Sequence, residues 1–112
     1  MKKKKVIGYK KKTVELVNIL KKVNPEKIIL FGSVGRSEAC SDSDIDICVI
    51  KKTKSPSRIY ELIWELFWES DFNWEIEPDI KVYPLSVYQD YLERQDPFIK
   101  QIEKGEVLYE KK

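Results

Sequence analysis

The spacing of apolar residues along the chain predicts four main helices. Residues 13–23 carry apolar side chains every three or four positions, which is typical of a helix, and Asn24-Pro25 ends it. A second helix is predicted from Ser55, as the capping residue, and Pro56 at the first helical position, to about Ser70. Residues 86–94 and 97–104 are predicted as two short helices. Gly105 ends the last of them.

Short apolar runs and period-two alternation predict the strands. Residues 27–31, KIILF, form an apolar run typical of a buried strand. Residues 44–50 and 74–85 alternate between apolar and polar side chains, and Pro78 in the second segment indicates an edge strand or a bulge. Residues 106–110 are predicted to be extended. The resulting order predicts a single small α/β (α+β) domain with a mixed sheet flanked by helices.

The predicted helix after Ser55 has three distinct stripes. The helical period gives a core stripe and an acidic face. The core stripe consists of Ile59, Leu62, Ile63, Leu66 and Phe67. The acidic face consists of Glu61, Glu65 and Glu69. Tyr60, Trp64 and Trp68 form a further aromatic stripe. This stripe is either part of a wide apolar face covered by the sheet and the C-terminal helix, or an exposed patch that binds another protein.

Composition and charge narrow the class of protein. The 112 residues suffice for one domain, residues 13–112, preceded by a basic segment, residues 1–12, that we expect to be a solvated and partly disordered tail. The formal net charge of +2 is too small for a typical nucleic-acid binder. Because the chain has no histidine and its two cysteines have no metal-site spacing, we expect no zinc site. The sequence shows no membrane span or signal peptide and predicts a soluble, cytoplasmic protein with free thiols.

A pair of aspartates on the second predicted strand indicates a metal site. Period-two geometry places Asp44 and Asp46 on one face, roughly 7 Å apart along the strand. Two carboxylates this close raise each other's pKa unless a cation lies between them. Oxygen ligands at this spacing suit Mg²⁺ together with substrate phosphates. Asp79 on the later strand is the predicted third ligand, and Glu77, with the same parity, is the alternative.

The turn before these aspartates has the features of a phosphate site. Gly32 follows a strand directly and allows close approach of the backbone to a ligand. The amides after it, at a helix that is predicted to continue through Glu38, can bind a phosphate, and Ser33 adds a hydroxyl. Arg36, one turn into that helix, is placed to neutralise phosphate charge.

These residues together resemble the signature of the nucleotidyltransferase superfamily that includes DNA polymerase beta. Gly32-Ser33 is followed after ten residues by Asp44-Ile45-Asp46, and Ser43 completes the usual Ser-Asp-x-Asp form. The short chain, Arg36 and the ending DPFIKQIEKGEVLYE resemble the minimal nucleotidyltransferases in particular. Val34 and Ser37 depart from the residues common in that family.

The resemblance implies an activity and its cofactors. It implies ATP as the donor, two Mg²⁺ ions and transfer of a nucleoside monophosphate to a hydroxyl, with Asp44, Asp46 and Asp79 as metal ligands and catalytic residues. Gly32, Ser33, Arg36 and Ser43 would bind the nucleotide. The two-metal arrangement suits phosphoryl transfer, in which an attacking oxygen and a leaving pyrophosphate both need stabilisation.

The resemblance also implies a partner. Minimal nucleotidyltransferases are paired with helical HEPN proteins in modules similar to toxin–antitoxin systems, where the antitoxin silences a ribonuclease toxin by adding AMP to a tyrosine. Our leading hypothesis is that this chain is such an antitoxin, with Tyr60, Trp64 and Trp68 as a candidate interface. Two alternatives remain open at this point: an antitoxin that acts by binding only, and an enzyme that modifies a small molecule of the aminoglycoside type.

Overall fold

A four-stranded mixed sheet forms the centre of the molecule in the computed structural model, which describes residues 13–32, 45–70 and 78–111. The strands are β1 (Lys27–Phe31), β2 (Ile45–Lys51), β3 (Pro78–Pro84) and β4 (Glu106–Glu110), in the order β3-β2-β1-β4. β1 pairs antiparallel with β2 and with β4, whereas β2 and β3 are parallel. The predicted mixed sheet is therefore confirmed.

Helices cover the sheet on both faces. They are α1 (residues 13–20, continued by the 3₁₀ turn Lys21–Val23), α2 (Pro56–Glu69), α3 (Leu85–Glu93) and α4 (Pro97–Glu103). On one face, α1 and α2 bury a first core that includes Leu20, Ile47 and Phe67. On the other face, α3 and α4 bury a second core that includes Ile29, Cys48, Tyr88 and Ile102. Because both faces are covered, β1 and most of β2 read as continuous apolar runs.

The ends of the helices test the capping residues that the sequence predicts. Pro56 begins α2 with Ser55 at the capping position, as predicted, but the side chain of Ser55 makes no capping hydrogen bond. The side-chain cap is found instead on α4, where the backbone N–H of Ile99 donates to Asp96 at 3.1 Å. Asn24 closes the 3₁₀ turn in the left-handed conformation, with φ of 56°.

The strand and helix boundaries follow the sequence prediction closely. β1 has the predicted bounds, and residues 106–110 form β4. Pro78 begins β3, which lies at one end of the strand order, as expected for an edge strand. Residues 1–12 and the helix predicted after Gly32 lie outside the described residues, as do residues 74–77 of the predicted third strand. No helix within the described ranges has the length and apolar character that a membrane span requires.

Two polar groups lie inside the second core. The hydroxyl of Tyr88 donates a hydrogen bond to Glu103 and so joins α3 to α4. Burial and this hydrogen bond raise the pKa of Tyr88. The thiol of Cys48 is fully buried, and burial, with Glu103 nearby, raises its pKa to about 12. Cys48 is therefore a protonated, apolar component of the core at neutral pH.

We expect the Cys48 thiol to be unreactive in the folded protein. With a pKa of about 12, roughly one thiol in ten thousand is ionised at pH 8, and only the thiolate attacks alkylating reagents. Iodoacetamide at pH 8 should leave Cys48 unmodified in buffer and modify it fully in concentrated urea, as measured by mass spectrometry of peptides. Equal modification rates in both conditions would contradict this packing.

Candidate active site

One row of paired residues crosses the sheet from β1 to β3 and carries two carboxylates. Asp46 on β2 is the Cα partner of Phe31 on β1 and of Asp79 on β3. Paired residues on neighbouring strands point to the same face, and neighbouring strands lie roughly 4.8 Å apart. The fold thus brings Asp46 and Asp79 side by side, although 32 positions separate them in the sequence.

Both carboxylates lie on the face of the second core. Ile45 and Ile47 belong to the first core, whereas Phe31 and Cys48 belong to the second. Period-two alternation then places Asp46 on the face of Phe31 and Cys48. α3 and α4 cover this face further along the strands, but Asp46 is only half-buried and the Asp79 side chain is 52% exposed. The carboxylates are therefore accessible at the end of β1 where Gly32 follows.

Gly32 packs directly against one of these carboxylates. Its φ is 76°, a left-handed conformation that glycine adopts readily. A Cβ at this position would overlap Oδ2 of Asp46 and lie 3.1 Å from its Cγ. Both the backbone conformation and the lack of space require glycine here. The turn that the sequence predicts as a phosphate site thus contacts the carboxylate that the sequence predicts as a metal ligand.

Lys81 is a residue of this site that the sequence analysis did not single out. Its ammonium nitrogen lies 3.7 Å from Oδ2 of Asp79, two residues away on the same face of β3. Both side chains are partly exposed, so the stabilisation that this ion pair contributes is small. The pair places a positive charge beside Asp79, one of the two carboxylates. Its only signal in the sequence is the shared parity of the two positions.

Several predicted site residues lie outside the described ranges. These are Ser33, Arg36, Ser43 and Asp44, together with Glu77, the alternative to Asp79. Of the predicted set, the structure brings together Gly32, Asp46 and Asp79. Glu77 directly precedes Pro78, the Cα partner of Ile45.

The described residues fit a hard divalent cation. Asp46 and Asp79 offer carboxylate oxygens on adjacent strands, and carboxylates with remaining positions for water or phosphate are what Mg²⁺ prefers. Within the described ranges no group of three or more potential ligands is found. Asp44, which is also a predicted ligand, is outside them. Asp46 and Asp79 would thus form the described part of a metal site.

The aromatic stripe of α2 divides between core and surface. Trp64 packs against the first core, with its ring centroid 5.4 Å from that of Phe67. Tyr60 is 41% and Trp68 is 77% exposed. Of the two alternatives, a covered face thus describes Trp64, and an exposed patch describes Tyr60 and Trp68. Because α2 covers the first core, these aromatics lie on the face of the sheet opposite Asp46 and Asp79.

Comparison with known proteins places the chain in a family. The family model described as "Polymerase beta, Nucleotidyltransferase" matches residues 14–112, which is most of the sequence. No curated protein and no solved structure gives a match.

We expect Mg²⁺ to stabilise the protein and the Asp46→Asn variant to lose this effect, because a neutral amide does not replace an anionic ligand. With Mg²⁺ at ten times its dissociation constant, binding to the folded state adds about 1.4 kcal/mol to the free energy of unfolding. For a domain of this size that corresponds to a rise in Tm of roughly 5 to 10 °C. Thermal unfolding of both proteins in EDTA and in Mg²⁺ measures this rise in Tm.

The matched control is Asp90→Asn. Asp90 is an exposed carboxylate on α3 that pairs with Arg94 at 3.1 Å, so the substitution makes the same chemical change away from the site. Its Mg²⁺-dependent rise in Tm should equal that of the wild type. If Mg²⁺ raised the Tm of Asp46→Asn as much as that of the wild type, Asp46 would not be a metal ligand.

Proposed function

The chain belongs to the polymerase beta nucleotidyltransferase family, and on this premise we propose that it transfers AMP from ATP to a hydroxyl group in a reaction that depends on Mg²⁺. Family membership supports nucleotidyl transfer in general. The observation that carries the assignment to these residues is the pairing of Asp46 with Asp79 beside the Gly32 turn. Phosphoryl transfer needs carboxylates that bind the metal ions and a backbone turn that approaches the phosphates closely.

The proposed chemistry is an in-line displacement at phosphorus. The acceptor oxygen forms a bond to the α-phosphorus, the bond from this phosphorus to the oxygen that bridges to the β-phosphate breaks, and pyrophosphate leaves with the electron pair. Asp79, the more exposed carboxylate, takes the proton of the acceptor hydroxyl. Asp44, Asp46 and Asp79 would hold two Mg²⁺ ions, which when bound neutralise phosphate charge and activate the hydroxyl.

The protein's own residues also position the donor nucleotide. Because Gly32 has no side chain, the backbone of the turn can contact the phosphates next to Asp46. In the proposal, Ser33, Ser43 and Arg36 bind the nucleotide from the segment between β1 and β2. Such contacts hold the reacting atoms in line. This positioning accounts for a large part of the rate enhancement in phosphoryl transfer.

We further propose that the acceptor is a tyrosine of a HEPN-type ribonuclease toxin, so that the chain acts as an antitoxin by AMPylation. The support is the resemblance of the sequence to minimal nucleotidyltransferases.

The exposed aromatics of α2 are the proposed docking surface for this partner. Tyr60 and Trp68 flank the half-buried Trp64, and aromatic side chains are enriched where proteins bind each other. Because α2 and the carboxylates lie on opposite faces of the sheet, a partner bound to α2 leaves Asp46 and Asp79 open to an acceptor segment.

If a HEPN-type protein is encoded beside this gene, incubating that protein with this chain, ATP and Mg²⁺ should add the mass of one or more AMP units to it. Intact mass spectrometry measures the product, and peptide mapping locates it. Asp46→Asn should slow the transfer at least about a hundredfold, because the reaction loses a metal ligand. Asp90→Asn, an exposed residue away from the site, should react at the rate of the wild type.

Other outcomes would separate the alternatives. A stable complex with no mass change, and toxin neutralisation that survives Asp46→Asn, would replace the proposal with a binding-only antitoxin. Neither complex nor modification, together with turnover of an aminoglycoside by this chain alone, would replace it with a small-molecule nucleotidyltransferase.

We expect Tyr60→Ala to weaken binding of the partner at least about tenfold, since exposed aromatic residues at interfaces often contribute more than 1 kcal/mol. Tyr91→Ala is the matched control: Tyr60 is 41% and Tyr91 is 40% exposed, but Tyr91 lies on α3, on the other face of the sheet. Isothermal titration calorimetry measures the affinity of each variant for the partner. Equal affinities of the two variants would exclude α2 as the docking surface.

A further inference from the structure

The side of the candidate site next to β1 is formed by α4. This helix lies on the same face of the sheet as the carboxylates, with Ile99 and Ile102 buried in the second core. The ring of Phe98 meets the ring of Phe31 edge-on, at 5.8 Å between centroids, and Phe31 is the Cα partner of Asp46. These contacts fix α4 relative to the row that carries the carboxylates.

The end of α4 is held even more closely against β1. A Cβ at Gly105 would overlap the carbonyl oxygen of Leu30 and lie 3.0 Å from that of Ile102, so the chain can pass here only because the residue is glycine. β4 begins at the next residue, with Glu106 paired to Leu30. The last turn of α4 is therefore fixed beside the end of β1, where Gly32 follows.

A small cavity of about 160 Å³ lies between this last turn and Gly32. It is lined by Gly32, Gln101, Lys104 and Gly105. Lys104 and Gln101 are exposed. Within the described part of the chain Lys104 makes no ion pair, unlike Lys81, Lys27 and Lys111, which pair with carboxylates. Among the described residues, Lys104 thus has no carboxylate paired with it, and it lies at a cavity that Gly32, the first residue of the proposed phosphate-binding turn, also lines.

The strand order sets the distance between this charge and the carboxylates. Asp79, Asp46, Gly32 and Gly105 follow one another across the end of the sheet, on or next to β3, β2, β1 and β4. At roughly 4.8 Å per strand, β4 is roughly 10 Å from β2. A triphosphate whose α-phosphorus lies at the carboxylates can extend past Gly32 toward Lys104.

We infer that Lys104, with Gln101 beside it, binds the β- and γ-phosphates of the nucleoside triphosphate and the pyrophosphate that leaves. The inference rests on the proposed nucleotidyl transfer and adds a binding residue from α4, far in sequence from the Gly-Ser turn. Lysine suits this position because it binds phosphate as a flexible point charge. Gln101 can donate a hydrogen bond from its amide.

The test compares Lys104→Gln with Lys100→Gln. Both substitutions remove one exposed positive charge, Lys100 from α4 and Lys104 from the capping position directly after it. Lys100 does not line the cavity, and its ammonium donates a hydrogen bond to Gln95 at 3.3 Å. Isothermal titration of each full-length variant with ATP, pyrophosphate and AMP, at fixed ionic strength with Mg²⁺, gives the affinities. Lys104→Arg serves as the conservative variant, and thermal unfolding checks that each variant folds.

We expect Lys104→Gln to weaken binding of ATP and of pyrophosphate about tenfold, since a hydrogen bond to a charged group is lost at a partly exposed site. Binding of AMP, which lacks these phosphates, should change less than twofold. Lys104→Arg should restore most of the ATP affinity, and Lys100→Gln should bind all three probes as the wild type does. In activity measurements the KM for ATP should rise more than kcat falls.

The results distinguish this inference from the function on which it rests. Equal affinities of Lys104→Gln and Lys100→Gln for ATP, in a protein whose wild type binds ATP, would overturn the role of Lys104 and leave nucleotidyl transfer intact. Equal weakening of AMP and ATP binding would overturn the assignment to the terminal phosphates. A wild type that binds no nucleoside triphosphate would overturn both.

Discussion

The register of β2 against its two neighbours is the constraint on which the candidate site depends. Asp46 is paired on one side with Phe31, directly before Gly32, and on the other with Asp79. A slip of one residue in either pairing would turn a carboxylate or the turn away from the common face. Burial prevents such a slip, because Ile45, Ile47 and Val49 fill the first core while Cys48 and Ile50 fill the second. The apolar core thus positions the polar site.

Two glycines allow the chain to come close to this row without displacing it. Gly32 leaves space for the Asp46 carboxylate, and Gly105 leaves space for the Leu30 carbonyl. A Cβ at Gly32 would displace the Asp46 carboxylate, and a Cβ at Gly105 would push the chain after α4 away from the backbone of β1. The close approach at Gly105 also carries the end of α4, with Lys104, to the turn at Gly32. One end of the sheet thereby combines the carboxylates, a glycine without a side chain and a positive charge.

The two faces of the sheet carry different surfaces. The face of the second core ends in Asp46 and Asp79, while the face of the first core is covered by α2, whose outer surface exposes Tyr60 and Trp68. In the proposed function this separation lets one protein surface hold a partner while another carries out the chemistry. The sheet between them is buried on both sides, which makes it a rigid support for a reaction that depends on positioning.

Local sequence patterns predict the features that depend on neighbouring residues. The apolar run of β1, the start of α2 at Pro56, the alternation around Asp46 and the need for a small residue at Gly32 are local patterns, and the structure has each of them. The family signature is also local, since it lies within residues 32–46.

The arrangements that join distant residues depend on tertiary packing. Only the parallel pairing of β2 with β3 brings Asp79 opposite Asp46 and Lys81 beside it, and the rotation of α2 on the sheet decides that Trp64 faces inward while Trp68 does not. The approach of Lys104 to Gly32 depends on the packing of α4 against β1. These arrangements join residues far apart in the chain, so their geometry is set by the packing free energy of the whole fold, which no local pattern records.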